Sequence, residues 1–109
     1  MKRLSTAGLA ASLALALSAQ SSLAAPLWCP KAKLPAEKAI CANAELGTLD
    51  DVMRTAHKRA NFDSPRNRAE IAHEQRRWLG RRNLCGADAV CLKKRYLEQV
   101  QFLEGFFGN

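Results

Sequence analysis

From residue 35 onward, apolar residues recur at the three- and four-residue spacing of amphipathic helices. Four such stretches are predicted, at residues 35–43 and at about 45–60, 65–83 and 89–106. No stretch shows the strict alternation that is typical of a half-buried strand. We therefore expect an all-α protein, a small disulfide-stapled bundle of about four helices joined by short turns.

Local signals support the predicted helix ends. Pro35 suits the first turn of a helix, and Glu37 lies near the positive end of the same helix. The clearest break in the pattern falls at residues 61–65, where the chain is expected to reverse direction. There, Ser64 suits an N-cap and Pro65 the first helical position.

Each of the three longer helices has one apolar face. The residues on these faces are Leu46, Leu49, Met53, Ala56 and Ala60, then Ile71, Gln75, Trp78, Leu79 and Arg82, then Leu92, Tyr96, Val100, Leu103 and Phe107. Arg82 is the exception among them, because an unpaired buried charge is very costly. We expect its side chain to reach solvent or to meet a carboxylate. Arg76, Arg77 and Arg81 are predicted to face outward.

The first residues have the pattern of a secretory signal peptide. Lys2 and Arg3 precede an apolar run at residues 9–17, and small residues follow at 21–25. We predict a signal peptide at residues 1–25 and one domain at residues 26–109, in a periplasmic or secreted protein. The run is shorter than the roughly 20 residues that cross a membrane, so no transmembrane segment is expected.

The charge balance is basic. The chain has 17 Lys and Arg against 10 Asp and Glu. Removing Lys2 and Arg3 with the leader leaves fifteen basic and ten acidic residues, a net charge of +5. Such a charge favours acidic partners, including an anionic glycan or lipid surface, although it also suits a plain solvated surface. Nucleic acid is not an expected partner, because export separates the chain from most of it.

The four cysteines lie in two pairs, near the two ends of the predicted domain. They are Cys29, Cys41, Cys85 and Cys91. An even count in an exported protein indicates disulfides, and three connectivities are open. Their distribution favours the two local bridges, Cys29–Cys41 and Cys85–Cys91. A zinc site is the alternative, but the chain lacks the Cys-x-x-Cys spacing that many such sites use.

Few residues suggest catalysis. His73 has no second histidine four residues later, as a zinc-binding helix would require, and is predicted to be exposed. His57 could form a dyad with Asp50, but no nucleophile accompanies them, which favours a hydrogen-bonded histidine at the edge of the core. We therefore predict a protein that is not an enzyme, with no catalytic, cofactor-binding or metal-binding residues.

Several spaced residues carry a family resemblance over residues 29–103. They are Glu37 with Ile40 and Cys41, Leu49 with Asp50, Trp78 with Arg82 and Cys85, and Cys91 with Leu92 and Tyr96. In this order and spacing, they resemble the family named for the N-terminal domain of the lysozyme inhibitor LprI. The chain departs from that pattern at His57, Asn83 and Gln99.

The resemblance implies a small extracytoplasmic helical domain with disulfides and, for the family's namesake, inhibition of lysozyme. Trp78 would then belong to the core, and Glu37 or Asp50 would pair with Arg82. An inserted basic residue could block the two catalytic carboxylates of a glycosidase, which makes Arg76, Arg77 and Arg81 the candidate partner-binding residues. The alternative is an envelope interaction module that binds another protein or an anionic polymer without inhibiting lysozyme.

Overall fold

The computed structural model describes residues 25–109, so the predicted signal peptide, apart from Ala25, lies outside the described residues. The four α-helices of this part of the chain are α1 (Pro35–Ala42), α2 (Ala44–Asp63), α3 (Arg68–Leu84) and α4 (Ala89–Glu104). Two short 3₁₀ turns, Cys29–Lys31 and Pro65–Asn67, precede α1 and α3. Residues 25–109 contain no strand, and the all-α prediction is confirmed.

Helix α2 runs three residues beyond its predicted end at Ala60. Polar side chains support this extra turn: Asn61 Nδ2 donates to the carbonyl of His57 at 3.0 Å, and Arg59 pairs with Asp63 at 3.3 Å. Local hydrogen bonds of this kind compensate for the missing apolar pattern. The predicted break at residues 61–65 is therefore wrong in its first half.

The start of the third helix also differs from the prediction. A 3₁₀ turn beginning at Pro65 comes first, and the α-helix begins only at Arg68. The Ser64 side chain makes no capping hydrogen bond to the backbone. It is buried and its Oγ accepts a hydrogen bond from Asn67 Nδ2 at 2.6 Å. Ser64 therefore serves the turn between α2 and α3.

The last helix ends at Glu104, two residues before its predicted end. The tail that follows is held against α2, since the Gly108 backbone N–H donates to Asp63 Oδ2 at 2.8 Å. The Arg59 guanidinium lies 4.2 Å from the centroid of the Phe107 ring. Both contacts tie the C-terminus to α2.

The core lies where all four helices meet. Trp78 of α3 and Tyr96 of α4 are fully buried, with ring centroids 5.1 Å apart in an edge-to-face arrangement. The Trp78 indole N–H donates to the Arg95 carbonyl at 2.7 Å. Leu79 was predicted in the apolar face of α3 but is 36% exposed, because it borders an open cleft. The other buried apolar residues are Ala36, Ile40, Leu46, Met53, Ala56, Ala60, Ile71, Leu92 and Leu103.

Both disulfides have the predicted local pairing. Cys29–Cys41 joins the first 3₁₀ turn to α1, and Cys85–Cys91 joins the end of α3 to the start of α4. Gly86 lies in the turn between those two helices with φ at 58°, a conformation that favours glycine. None of the helices in residues 25–109 is long and apolar enough to cross a membrane.

Candidate functional site

A cleft of about 400 Å³ opens among the first 3₁₀ turn, α1, α2 and α3. Its walls carry four basic side chains, those of Lys31, Arg54, Lys58 and Arg82. They also carry two acidic side chains, those of Glu37 and Asp50. Trp28, Met53 and Leu79 supply the apolar part of the lining, and His57 and Gln75 complete it. The cleft thus combines an excess of positive charge with apolar surface.

Asp50 of α2 is a buried carboxylate that joins three parts of the chain. It is 1% exposed, and its Oδ2 accepts a hydrogen bond from the Trp28 indole N–H at 3.1 Å. Its Oδ1 accepts another from the Tyr96 hydroxyl of α4 at 2.9 Å. A buried charge without partners is strongly destabilising, so these two donors hold Asp50 in place.

The Tyr96 hydroxyl is kept protonated. Burial raises the pKa of Tyr96, and the neighbouring Asp50 carboxylate raises it further. Both effects oppose a second negative charge at this point in the protein. Tyr96 therefore acts as a lasting hydrogen-bond donor to Asp50.

Arg82 is the buried cation of the cleft, only 5% exposed. Its Nε and Nη2 both donate to Asn83 Oδ1, at 3.1 and 2.9 Å. The same Nη2 lies 3.9 Å from Glu37 Oε2, which makes Glu37 the carboxylate that Arg82 meets. Its guanidinium carbon also lies 5.7 Å from the ring centroid of Trp28 and 5.8 Å from that of Trp78, within cation–π range.

Glu37 is held at the start of α1 by the backbone. Its Oε1 accepts the N–H groups of Lys33 at 2.9 Å and Leu34 at 3.0 Å. The hydrogen bond from Leu34, followed by that from Lys33, lowers the pKa of Glu37, and the positive charge of Arg82 lowers it further. Glu37 therefore stays anionic, with its second oxygen turned to Arg82.

His57 lies at the rim of the cleft, partly buried. Burial lowers the pKa of His57, and the charge of Arg54 lowers it further. Asn61 Nδ2 lies 3.5 Å from its Nε2, as expected for a core-edge histidine with a polar neighbour. At neutral pH the ring is therefore uncharged and adds nothing to the positive charge of the cleft.

Two glutamines connect the cleft to the core. Gln99 of α4 is 1% exposed, and its Nε2 donates to Gln75 Oε1 at 2.8 Å. Gln75 in turn places its Nε2 3.3 Å from the sulfur of Met53. This chain of contacts fixes the side chain of Gln75 in the wall of the cleft.

The three arginines predicted to bind a partner lie away from the cleft, on the outer face of α3. Arg77 is 63% exposed in its side chain and lies 3.7 Å from Glu74. Arg81 forms a closer ion pair with the same carboxylate and is 38% exposed. Arg76 is exposed and has no ion pair within residues 25–109. Of the three, Arg76 and Arg77 remain the most accessible.

Much of the cleft was not predicted from the sequence, namely Trp28, Lys31, Arg54 and Lys58. A signal for part of it was present, since Asp50, Arg54 and Lys58 recur every four residues on α2 and so share one face. Trp28 directly precedes Cys29, and the disulfide to Cys41 holds it near α2. That contact joins residues 22 apart in sequence, beyond the reach of helical periodicity.

The arrangement is suited to binding. Asp50 accepts from Trp28 and Tyr96, Glu37 accepts from the backbone, and Arg82 donates to Asn83, which together fix the shape of the wall. The part of the chain that the structure describes holds no cluster of three His, Cys, Asp or Glu residues that could bind a metal ion. What the cleft presents to a ligand is positive charge next to apolar surface.

Comparisons with known proteins add no relative: no family model, no curated protein and no solved structure matches this chain. Membership of the LprI-like family therefore stays a prediction that rests on the spaced residues between 29 and 103.

Proposed function

We propose that this chain is an exported, non-enzymatic binding protein of the bacterial envelope. The observation that carries the proposal is the basic cleft, which is built on buried, mutually hydrogen-bonded side chains around Asp50 and Arg82. Two disulfides close local loops in the domain, as is common in small proteins of oxidising compartments. A rigid wall of this kind favours association, because little order remains to be imposed on binding.

Lysozyme is the first partner to test, on the strength of the LprI-like residues. Glycosidases of this type work with a pair of carboxylates in a cleft, which a basic side chain from an inhibitor could occupy. Arg76 and Arg77 are exposed on α3 and could be inserted in this way. In the alternative binding geometry, an acidic side chain of the lysozyme enters the cleft of this protein, between Arg54 and Arg82.

The experiment is an inhibition assay with the oxidised protein against a panel of acidic and basic lysozymes. We expect dose-dependent inhibition that reaches a plateau at a stoichiometric ratio, and its loss after reduction of the disulfides. Two double variants separate the geometries: Arg76→Gln with Arg77→Gln removes the outer charges, and Arg54→Gln with Lys58→Gln removes those of the cleft rim. A folded protein that inhibits no member of the panel would contradict this function.

A second candidate function is binding to an anionic envelope polymer without lysozyme inhibition. The observation in its favour is the excess of two basic side chains in the cleft, in a domain whose net charge is +5 after leader removal. Binding to an acidic glycan or to anionic lipid vesicles should then weaken steeply as salt rises. Salt-independent binding, or none at low salt, would exclude this candidate.

A further inference from the structure

The cleft can be assigned a ligand chemistry, an inference that rests on the proposed binding function. We infer that it binds a small organic monocarboxylate with an apolar substituent, the carboxylate facing Arg82 and the substituent facing Trp28 and Leu79.

Arg82 has donors left for a ligand. A guanidinium offers five N–H groups in a planar fork that matches the two oxygens of a carboxylate. Here Nε and Nη2 share a single amide oxygen of Asn83, and the guanidinium also lies within hydrogen-bond reach of the Tyr96 hydroxyl. These contacts occupy only part of the five-donor fork. The nearest ion-pair partner, Glu37, is 3.9 Å from Nη2, beyond hydrogen-bond distance. A buried cation of this kind gains from a charge-assisted contact with an added anion.

The balance of charge favours a ligand with one negative charge. Lys31, Arg54 and Lys58 at the rim attract an anion toward Arg82. Inside the wall, Glu37 and Asp50 are carboxylates, and each negative charge on a ligand adds to the repulsion from them. A monocarboxylate satisfies both conditions better than a phosphate dianion.

The apolar lining of the cleft favours a ligand that carries an apolar organic group. Trp28, Met53 and Leu79 border the cleft, and Leu79 is 36% exposed there although it lies on the predicted core face of α3. Covering such surface favours binding by roughly 25 cal/mol for each Å² of apolar area removed from water. The volume of about 400 Å³ lies within the usual range of small-molecule sites.

The wall is already in place before a ligand arrives. The indole N–H of Trp28 is fixed by Asp50, and its backbone is anchored by the neighbouring Cys29–Cys41 bridge. Gln75 is held by Gln99 from the other side. Because these side chains need no reordering, even a small ligand can bind measurably.

The test is a calorimetric titration of the oxidised protein with matched pairs of ligands that differ in the carboxylate. N-acetyl-leucine is compared with N-acetyl-leucinamide, and N-acetylmuramic acid with its carboxamide, so that the two members of each pair differ only in the carboxylate. In at least one pair we expect the acid to bind about tenfold or more tightly than its neutral counterpart, as loss of a charge-assisted hydrogen bond implies. That pair also identifies a peptide or a sugar as the source of the carboxylate. Inorganic phosphate should bind more weakly than the acid.

Variants locate the binding. Because Arg82→Gln is expected to unfold the protein in part, the decisive variant is the rim pair Arg54→Gln with Lys58→Gln, which should weaken binding of the acid severalfold. Arg66→Gln with Lys94→Gln makes the same charge change at exposed positions outside the cleft and should leave affinity unchanged. Equal affinity for acid and neutral ligand in both pairs, or equal losses in the two double variants, would overturn the inference. Lysozyme inhibition through Arg76 and Arg77 would survive that outcome, so the two proposals fail separately.

Discussion

Two arginine-bearing regions of this small domain differ in how their charge is held. In the cleft, Arg82 is 5% exposed and is surrounded by Asn83, Glu37 and two tryptophan rings. On the outer face of α3, the side chain of Arg77 is 63% exposed. Its Nη1 lies 3.7 Å from Glu74 Oε1, a loose ion pair at the surface. The same residue type is part of the packed structure in one region and of the solvated surface in the other.

The difference has an energetic consequence. Exposed ion pairs contribute about 0 to 1 kcal/mol, because water and salt screen them. Breaking a buried pair by removing one partner costs roughly 3 to 5 kcal/mol, because the other charge is left uncompensated. Charge count alone would treat the two regions alike, whereas burial distinguishes them.

The largest expected effect is that of Arg82→Ala. It removes a buried cation beside Glu37, and should lower the free energy of unfolding by roughly 3 to 5 kcal/mol. Urea denaturation followed by far-UV circular dichroism measures this change. Arg76→Ala, on the outer face of the same helix, is the matched control and should stay within about 0.5 kcal/mol of the parent protein. A loss below about 1 kcal/mol for Arg82→Ala would place its charge at the surface.

The next largest effects are expected from removing the disulfides, and the two bridges should differ in how much stability they contribute. Replacing Cys29 and Cys41 by Ala opens a loop with a sequence separation of 12, and replacing Cys85 and Cys91 opens one of 6. The loop lengths alone imply losses of roughly 3 and 2 kcal/mol. Only the first bridge anchors the residue next to Trp28, so only its removal should also abolish ligand binding in the cleft. If both double variants changed ligand affinity equally, the Cys29–Cys41 bridge would have no special role in holding the cleft together.

The helices, the disulfides and the core could be predicted from the sequence, whereas the cleft could not. Trp78, Tyr96 and Leu92 follow the periodicity that local helix geometry imposes, and the local cysteine pairs lie close enough in sequence to suggest bridges. Arg82 was identified as an anomaly, and Glu37 as one of two candidate partners. Asn83, which accepts both hydrogen bonds from Arg82, was not predicted as its partner, because adjacent helix residues normally point about 100° apart. The meeting of Trp28 with Asp50 depends on tertiary packing.

A moderate effect is expected for the donors to Asp50. Tyr96→Phe removes one hydrogen bond to a buried carboxylate and should cost about 1 to 3 kcal/mol. Trp28→Phe removes the other. Since both leave the same carboxylate short of a donor, their combined loss should differ from the sum of the single losses, which a double-mutant cycle in chemical denaturation measures. Strict additivity would show that Asp50 does not couple the two residues.

The smallest effect concerns pH. The pKa values of Glu37 and His57 are both lowered on folding, so the unfolded chain binds more protons in acid. Stability should therefore decrease as pH falls, first below the ordinary histidine pKa of 6.5 and then below the ordinary glutamate pKa of 4.5. Asp63, whose pKa is lowered by the Gly108 N–H and then by Arg59, adds to the acidic part.

Unfolding free energies between pH 8 and pH 3 measure this dependence. His57→Gln should flatten the upper part of the curve and Glu37→Gln the lower part. A curve whose slope is unchanged by both substitutions would contradict the assignment of these two groups.

The most direct test of the account is whether a carboxylate ligand perturbs the buried arginine or the exposed ones. The measurement is a titration of the ¹⁵N-labelled, oxidised protein with the acid that binds, N-acetyl-leucine or N-acetylmuramic acid, followed in ¹H–¹⁵N spectra. We expect saturable shifts at the Nε–H of Arg82 and the indole N–H of Trp28, with the side-chain signals of Arg76 and Arg77 unchanged. Shifts centred on Arg76 and Arg77, or no saturable shift with either acid, would contradict a binding site in the cleft.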